Sequence, residues 1–205
     1  MGRPPDPLRR AALLDAATEH VLEHGLADLS LRPLATALGT SPRMLLYHFD
    51  SKEQLVTDVL ARAREHQARL TEGWLAAQPN LAPGDLLRRF WRWQIADHQP
   101  FLRLFFEIYG LALQDPARFP GFLEGAVTEW LEFIAVLLRR AGVHHARARV
   151  AATTVVAGYR GLLLDALATG DLRRAAKGLD LLLDALEVHL SPPAPTPTPA
   201  RHGGG

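Results

Sequence analysis

His20, Glu23 and His24 stand in the H-x-x-E-H spacing that holds zinc in one class of peptidase. Two histidines four residues apart share a helix face. A further acidic ligand would have to come from elsewhere, and the helix that carries them is needed for packing. They read as charged-face residues near a helix C-terminus, where a cation is favoured. His144 and His145 are adjacent, so their side chains diverge on a helix and read as a solvated helix start. Serine occurs only at 30, 41, 51 and 191. The first three fall at the starts of expected helices, where a hydroxyl accepts a backbone N–H, and none is left over as a nucleophile. There is no cysteine and no glycine-rich phosphate loop. No metal, no cofactor and no enzyme activity is expected.

Recognition chemistry remains, and the elements must be laid out before it can be placed. The 205 residues are 48% hydrophobic, enough to bury a sizeable core. No apolar run approaches the ~18 residues of a membrane span, and no apolar segment follows a basic start, so a soluble cytoplasmic protein without a membrane role is expected. Hydrophobic spacing is helical almost throughout, and nothing alternates for long as a strand would. Pro7 opens a first helix that ends at Gly25. Ser30 caps a short helix ending at Gly39, and Ser41 caps a second with Pro42 at its first position. Ser51, with Gln54 three residues on, starts a long helix reaching about Ala77. Further helices are expected at 84–98, 100–114, 121–141, 145–169 and 172–190, with short connections carrying Pro, Gly or Asp. The last fifteen residues, from Ser191, are Pro- and Gly-rich and read as a disordered tail.

Net charge is +1, and residues 1–52 balance six basic against six acidic side chains. Placement matters more than the sum. Asp15, Glu19 and Glu23 line one face of the first helix, while the basic residues sit at the chain start and near later helix starts.

Leu31–Leu38 and Pro42–Tyr47, about three residues apart, have the dimensions of a helix-turn-helix. Gly39 supplies the sharp turn. Leu31, Leu34, Ala35, Leu38 and Leu45 form the stripe that locks the pair, and Leu13, Ala17 and Val21 give the first helix a matching face. Residues 13–60 resemble the DNA-binding domain of the TetR family of regulators. The matching marks are Leu13–Ala17, Gly25, Ser30-Leu31-Arg32, Leu34-Ala35, Leu38-Gly39, Ser41, Leu45, His48-Phe49 and Ser51-Lys52-Glu53 with Leu55, in order and without a gap. The resemblance implies that Pro42–Tyr47 is a recognition helix in the major groove. Thr40, Ser41, Pro42, Arg43, Met44, Tyr47 and His48 then approach DNA, with Arg32 and Lys52 on phosphates. Arg43 is the one residue of that short helix able to grip a guanine bidentately. Two positions depart from the family: Leu46 stands where tyrosine is usual, with Tyr47 one residue on, and Pro33 replaces a polar residue in a first turn that tolerates proline.

Seven of the chain's eight Phe, four Trp and three Tyr fall between Phe90 and Tyr109. Such density makes either a bulky core or the walls of a partly hollow pocket. For a pocket the expected lining is Trp91, Gln94, His98, Phe105, Tyr109, Trp130, Thr154 and Tyr159, with Arg160 a further polar candidate and a small, mostly apolar effector as ligand. In the last two helices, Leu179, Leu183, Leu186 and Leu190 form one stripe while Leu181, Leu182, Ala185 and Val188 are apolar outside it. Gly158 and Gly161 permit close approach. The resemblance implies a homodimer, with Gly158, Gly161, Leu179, Leu183, Leu186 and Leu190 expected at the interface.

The expectation is an all-α chain. Residues 1–52 form a three-helix DNA-binding domain with the helix-turn-helix. Residues 53–190 form a helical bundle for effector binding and dimerisation, and 191–205 the tail. Its partners are a double-stranded operator, a small effector and a second copy. The competing reading is a helical adaptor or small-molecule binder that has lost DNA reading; an intact Ser41–Lys52 segment argues against it.

Overall fold

The computed structural model describes residues 6–190. The tail expected from Ser191 lies outside them. The described residues fold into nine α-helices: α1 Pro7–His24, α2 Leu31–Ala37, α3 Pro42–Phe49, α4 Lys52–Ala76, α5 Pro83–Asp97, α6 Gln99–Gln114, α7 Phe122–Arg140, α8 His145–Thr169 and α9 Leu172–Leu190. A single 3₁₀ turn, Pro116–Arg118, was not expected; it is too short to leave a periodic signal.

The helix ends follow local chemistry. Asp6 accepts from the Leu8 N–H, with Pro7 behind it at the first helical position. The Ser41 and Ser51 hydroxyls accept from Met44 N at 3.2 Å and Gln54 N at 3.0 Å. Ser30 stands at the N-cap of α2 but its side chain makes no capping bond. The Gln54 amide turns away from the Ser51 backbone and donates to Asp58 at 2.9 Å, so half of the expected capping box forms. Asp50, at φ 62° and ψ −47°, makes a γ-turn from α3 into α4, closed by the Ser51 N–H donating to the Phe49 carbonyl at 2.6 Å.

Two cores result. In the head, Ala17 and Val21 of α1, Leu34 of α2, Leu45 and Phe49 of α3 and Leu55 and Val59 of α4 pack together. In the bundle, α5, α7, α8 and α9 enclose Phe90, Trp91, Ile134, Val155, Tyr159 and Leu179. Three helices reach both: α7, whose Phe122 and Leu123 pack on the head core and Ile134 in the bundle, and more fully α4 and α6. The first half of α4 gives Leu55, Val59 and Ala63 to the head, and its C-terminal half sends Trp74 onto the bundle core. α6 gives Leu104, Ile108 and Ala112 to the head, while Leu102 and Phe106 face the bundle.

α8 is long and apolar enough to cross a membrane by length and composition, which the sequence reading did not expect. Here it is a core helix between α7 and α9, carrying buried Ala148, Ala152 and Tyr159. Its approach to α9 is close: a Cβ on Gly158 would sit 2.6 Å from Leu182 Cδ2, and one on Gly178 2.8 Å from Leu162 Cδ2. Arg88 of α5 ties down the other side of α9, donating to Asp180 at 3.2 Å and pairing with Asp184 and Glu187.

Candidate nucleic-acid interface and cavity

On α3 the inward positions are Leu45, His48 and Phe49, the i, i+3, i+4 set of one face. The opposite face exposes Arg43, Met44, Leu46 and Tyr47, with Met44 37% and Tyr47 44% accessible. Ser41 is exposed and Thr40 and Pro42 are half-exposed at the helix start; Arg32 is exposed in the first turn of α2 and Lys52 opens α4. These nine side chains are exposed or half-exposed at or near the starts of α2, α3 and α4, where free N–H groups favour phosphate.

His48 departs from this set. It is 5% exposed, and both of its ring nitrogens lack a hydrogen-bond partner among the described residues. Its expected place at DNA is corrected: i+3 from Leu45 points inward, and the ring packs edge-on against Tyr47 at 5.2 Å. Its contribution is support through the backbone, because its carbonyl accepts from Arg10 Nε at 3.0 Å. The same guanidinium pairs with Asp58 and lies 4.8 Å over the Phe49 ring, joining α1, α3 and α4. Nothing in the local pattern singled out Arg10.

The bundle is hollow. A cavity of about 650 Å³, counting space open to solvent, is walled by α4, α5, α6, α7 and α8. Of the residues expected to line it, Gln94, Phe105, Trp130 and Tyr159 do so. Trp91, His98, Tyr109 and Thr154 do not. Trp91 stands behind the wall, edge-on to Tyr159 at 5.4 Å. His98 lies against Trp93 at 3.9 Å, and burial lowers its pKa against the opposing pull of Asp97, with His66 adding to the lowering. Tyr109 is one turn along from Phe105, and the Thr154 hydroxyl bonds back to Val150 O on the exposed side of α8. Phe101 and Phe106 of α6, counted in the aromatic cluster but not in the expected lining, also face the cavity, as do Gln67 and Thr71 of α4, which the sequence did not single out. The Tyr159 hydroxyl donates to Gln94 Oε1 at 2.7 Å, and burial raises its pKa well above that of a free phenol, so it stays a neutral donor.

The cavity connects to the head through α6. Two residues past Phe105, both Glu107 carboxylate oxygens accept from the Leu26 N–H at 3.0 Å. Gly25 allows this: its φ is 80°, and a Cβ there would come 3.0 Å from Glu107 Oε2. Glu107 therefore holds the turn between α1 and α2 against a helix whose other face lines the cavity.

The expected interface residues separate into two sets. Leu179 and Leu183 are buried, Leu183 to 3%, within their own chain, and Gly158 receives Leu182 of the same chain. Their expected exposure to a partner is corrected, because the stripe they form faces α8. Leu186 and Leu190 are half-buried against the same core, and Gly161 is exposed. The free apolar face is instead Val150, Ala157, Gly161 and Leu164 of α8 with Leu181, Ala185 and Val188 of α9; Leu181 is 72% and Val188 78% exposed.

A three-helix head with an exposed α3, set on a hollow helical bundle, has the arrangement of a helix-turn-helix protein. Residues 13–59 match the family model of bacterial regulatory proteins, tetR family. The repressor KstR2 of Rhodococcus jostii (strain RHA1) is 42% identical over 52 residues, which are 25% of this chain and 26% of that protein. The match therefore spans about a quarter of that relative's length. Beyond the head, the structure of the multidrug binding protein EbrR complexed with imidazole aligns over 92% of this chain and 98% of its own, at TM-score 0.58 and 29% identity. A transcriptional regulator from Saccharomonospora viridis in complex with choline shares the fold over 87% of this chain and 97% of its own, at TM-score 0.71 and 18% identity. The head thus resembles the DNA-binding segment of the tetR family of bacterial regulatory proteins, and the described chain shares its fold with solved proteins described as regulators or ligand binders.

Proposed function

We propose that this chain is a cytoplasmic, homodimeric repressor that holds a pseudo-palindromic DNA operator and releases it when a small, mostly apolar effector fills the bundle cavity. The observation that carries the reading is that α4 and α6 each contribute to the head core and to the cavity wall. An effector that fits one arrangement of these helices better than another shifts the population of head positions by its differential affinity. That EbrR is a multidrug binding protein and was solved with a small molecule supports a ligand role for the bundle here.

In this reading Arg43, with Met44 and Tyr47 beside it, reads base edges. Arg32, Thr40, Ser41, Pro42 and Lys52 hold the backbone. The exposed apolar faces of α8 and α9 support a two-fold four-helix interface, since uncovered Leu and Val side chains in this density mark an interaction surface. The test is selection of bound sequences from a random DNA pool, followed by binding at several salt concentrations. A palindrome with two half-sites about one helical turn apart, bound with a steep salt dependence, is the expected result. Recovery of no common sequence would overturn it.

A further inference from the structure

Among the described residues, Arg160 is the one charged side chain that lines the cavity. It is half-buried, and among the described residues no carboxylate lies within ion-pairing distance of it. Its neighbours are neutral: the Ala126 carbonyl, which accepts one N–H, and the rings of Phe105 and Tyr109 at 5.7 and 6.0 Å from the guanidinium carbon. A guanidinium carries five N–H donors and stays protonated in proteins, so most of its donors are unspent beside an apolar wall. Burial lowers its pKa, and the Tyr109 hydroxyl alone pulls the other way. Arg10, Arg62, Arg64, Arg88 and Arg174, by contrast, each pair with a carboxylate. A second donor waits in the same wall. Gln94 gives its oxygen to Tyr159, and its amide N–H₂ has no protein partner among the described residues.

Resting on the reading of this cavity as the effector site, we propose that the effector is a carboxylate-headed molecule with an apolar body, its head held by Arg160 and its body among Phe101, Phe105, Phe106 and Trp130. A buried cation without a counter-ion is costly, and an incoming anion relieves that cost while forming charge-assisted hydrogen bonds. A carboxylate suits one guanidinium because charge and planar geometry match one to one. A phosphate dianion would leave a charge uncompensated, and a ligand cation would meet a like charge with no acidic side chain lining the wall to offset it.

The test uses the full chain and four probes sharing one alkyl body: decanoate, decanol, decylamine and decyl phosphate, followed by quenching of tryptophan fluorescence. Decanoate is expected to bind at least about tenfold tighter than the other three. Arg160→Gln should erase that preference while leaving decanol binding unchanged, and Arg160→Lys should restore part of it. Thermal melts of both variants check that the fold survives; if both unfold, the probe ranking on the parent chain decides. Decanol equal to decanoate, or decylamine or decyl phosphate tighter, would overturn the carboxylate assignment and leave the cavity as the effector site. If none of the four binds at millimolar concentration, the effector reading of the cavity falls with it.

Discussion

The head and the bundle draw on the same apolar residue types and pack them differently. Of the eight large side chains most completely buried, six belong to the head (Phe49, Leu34, Leu45, Leu55, Val21 and Val59) and two, Ile134 and Leu179, to the bundle. The head closes mainly aliphatic residues around Phe49, with Phe119 at the edge of that core. The bundle places many rings side by side: Phe90, Trp93, Trp74 and Trp130 meet at 5.3 to 5.6 Å, and Phe90 and Trp130 of this group face space that the rings do not fill. A dense core presents its surface residues in one fixed geometry, as a reader of base edges requires. A core with a cavity gives up cohesive contacts and gains room for a ligand. The proposed functions divide along that line.

The sharpest way to break the comparison is to hollow the head. Phe49→Ala should cost about 3–5 kcal/mol, because the ring is wholly buried and Arg10 loses its aromatic support. Phe105→Ala, on a half-buried ring already facing the cavity, should cost clearly less. Denaturant titrations of both variants decide it, and equal losses would mean that the two cores do not differ in packing.

Next comes a pair on α9. Leu183→Arg forces a charge into the chain's own core and should unfold the bundle, whereas Leu181→Arg should leave a folded monomer. Sedimentation velocity with far-UV circular dichroism separates the outcomes; a stable Leu181→Arg dimer would move the interface off this face.

Arg43→Ala should cost about 1–3 kcal/mol at one base pair of each half-site, while Lys52→Ala should weaken all sequences alike and lower the salt slope by about 1. Operator binding with single-base variants distinguishes them. His48→Gln, by contrast, should act through stability and leave base preference untouched, since the ring is inside.

The smallest effect is expected where the two regions meet. Glu107→Ala removes the acceptors of the Leu26 N–H and should cost about 1–2 kcal/mol, with faster hydrogen exchange confined to the turn between α1 and α2. Unchanged exchange there would show that Glu107 does not hold the joint.

Much of this was legible in the sequence, and the legible parts share a property. Ser41, Ser51, Pro7, Pro42 and Gly25 act within one turn of chain, so helix starts and stops follow from neighbouring residues alone. The exposed set Arg43, Met44 and Tyr47 likewise follows from the period of a short amphipathic helix, and the same period was enough to send His48 inward. Beyond one turn that logic stops. α9 is apolar on several sides, and whether Leu183 or Leu181 meets a partner depends on where α8 lies, set by Gly158 and Gly178 receiving side chains from the facing helix.

The sequence alone therefore determined the helices, the reading head and an excess of aromatic residues between Phe90 and Tyr109, because those are matters of local propensity, period and composition. Only the tertiary structure decided which rings are wall and which are filling, that α4 and α6 belong to two cores at once, that Glu107 ties the cavity helix to the head, and that Arg160 lines the cavity with no carboxylate paired to it among the described residues. Each of these depends on residues far apart in the chain coming within a few ångströms, and burial, charge pairing and empty space are properties of that assembly, not of any segment.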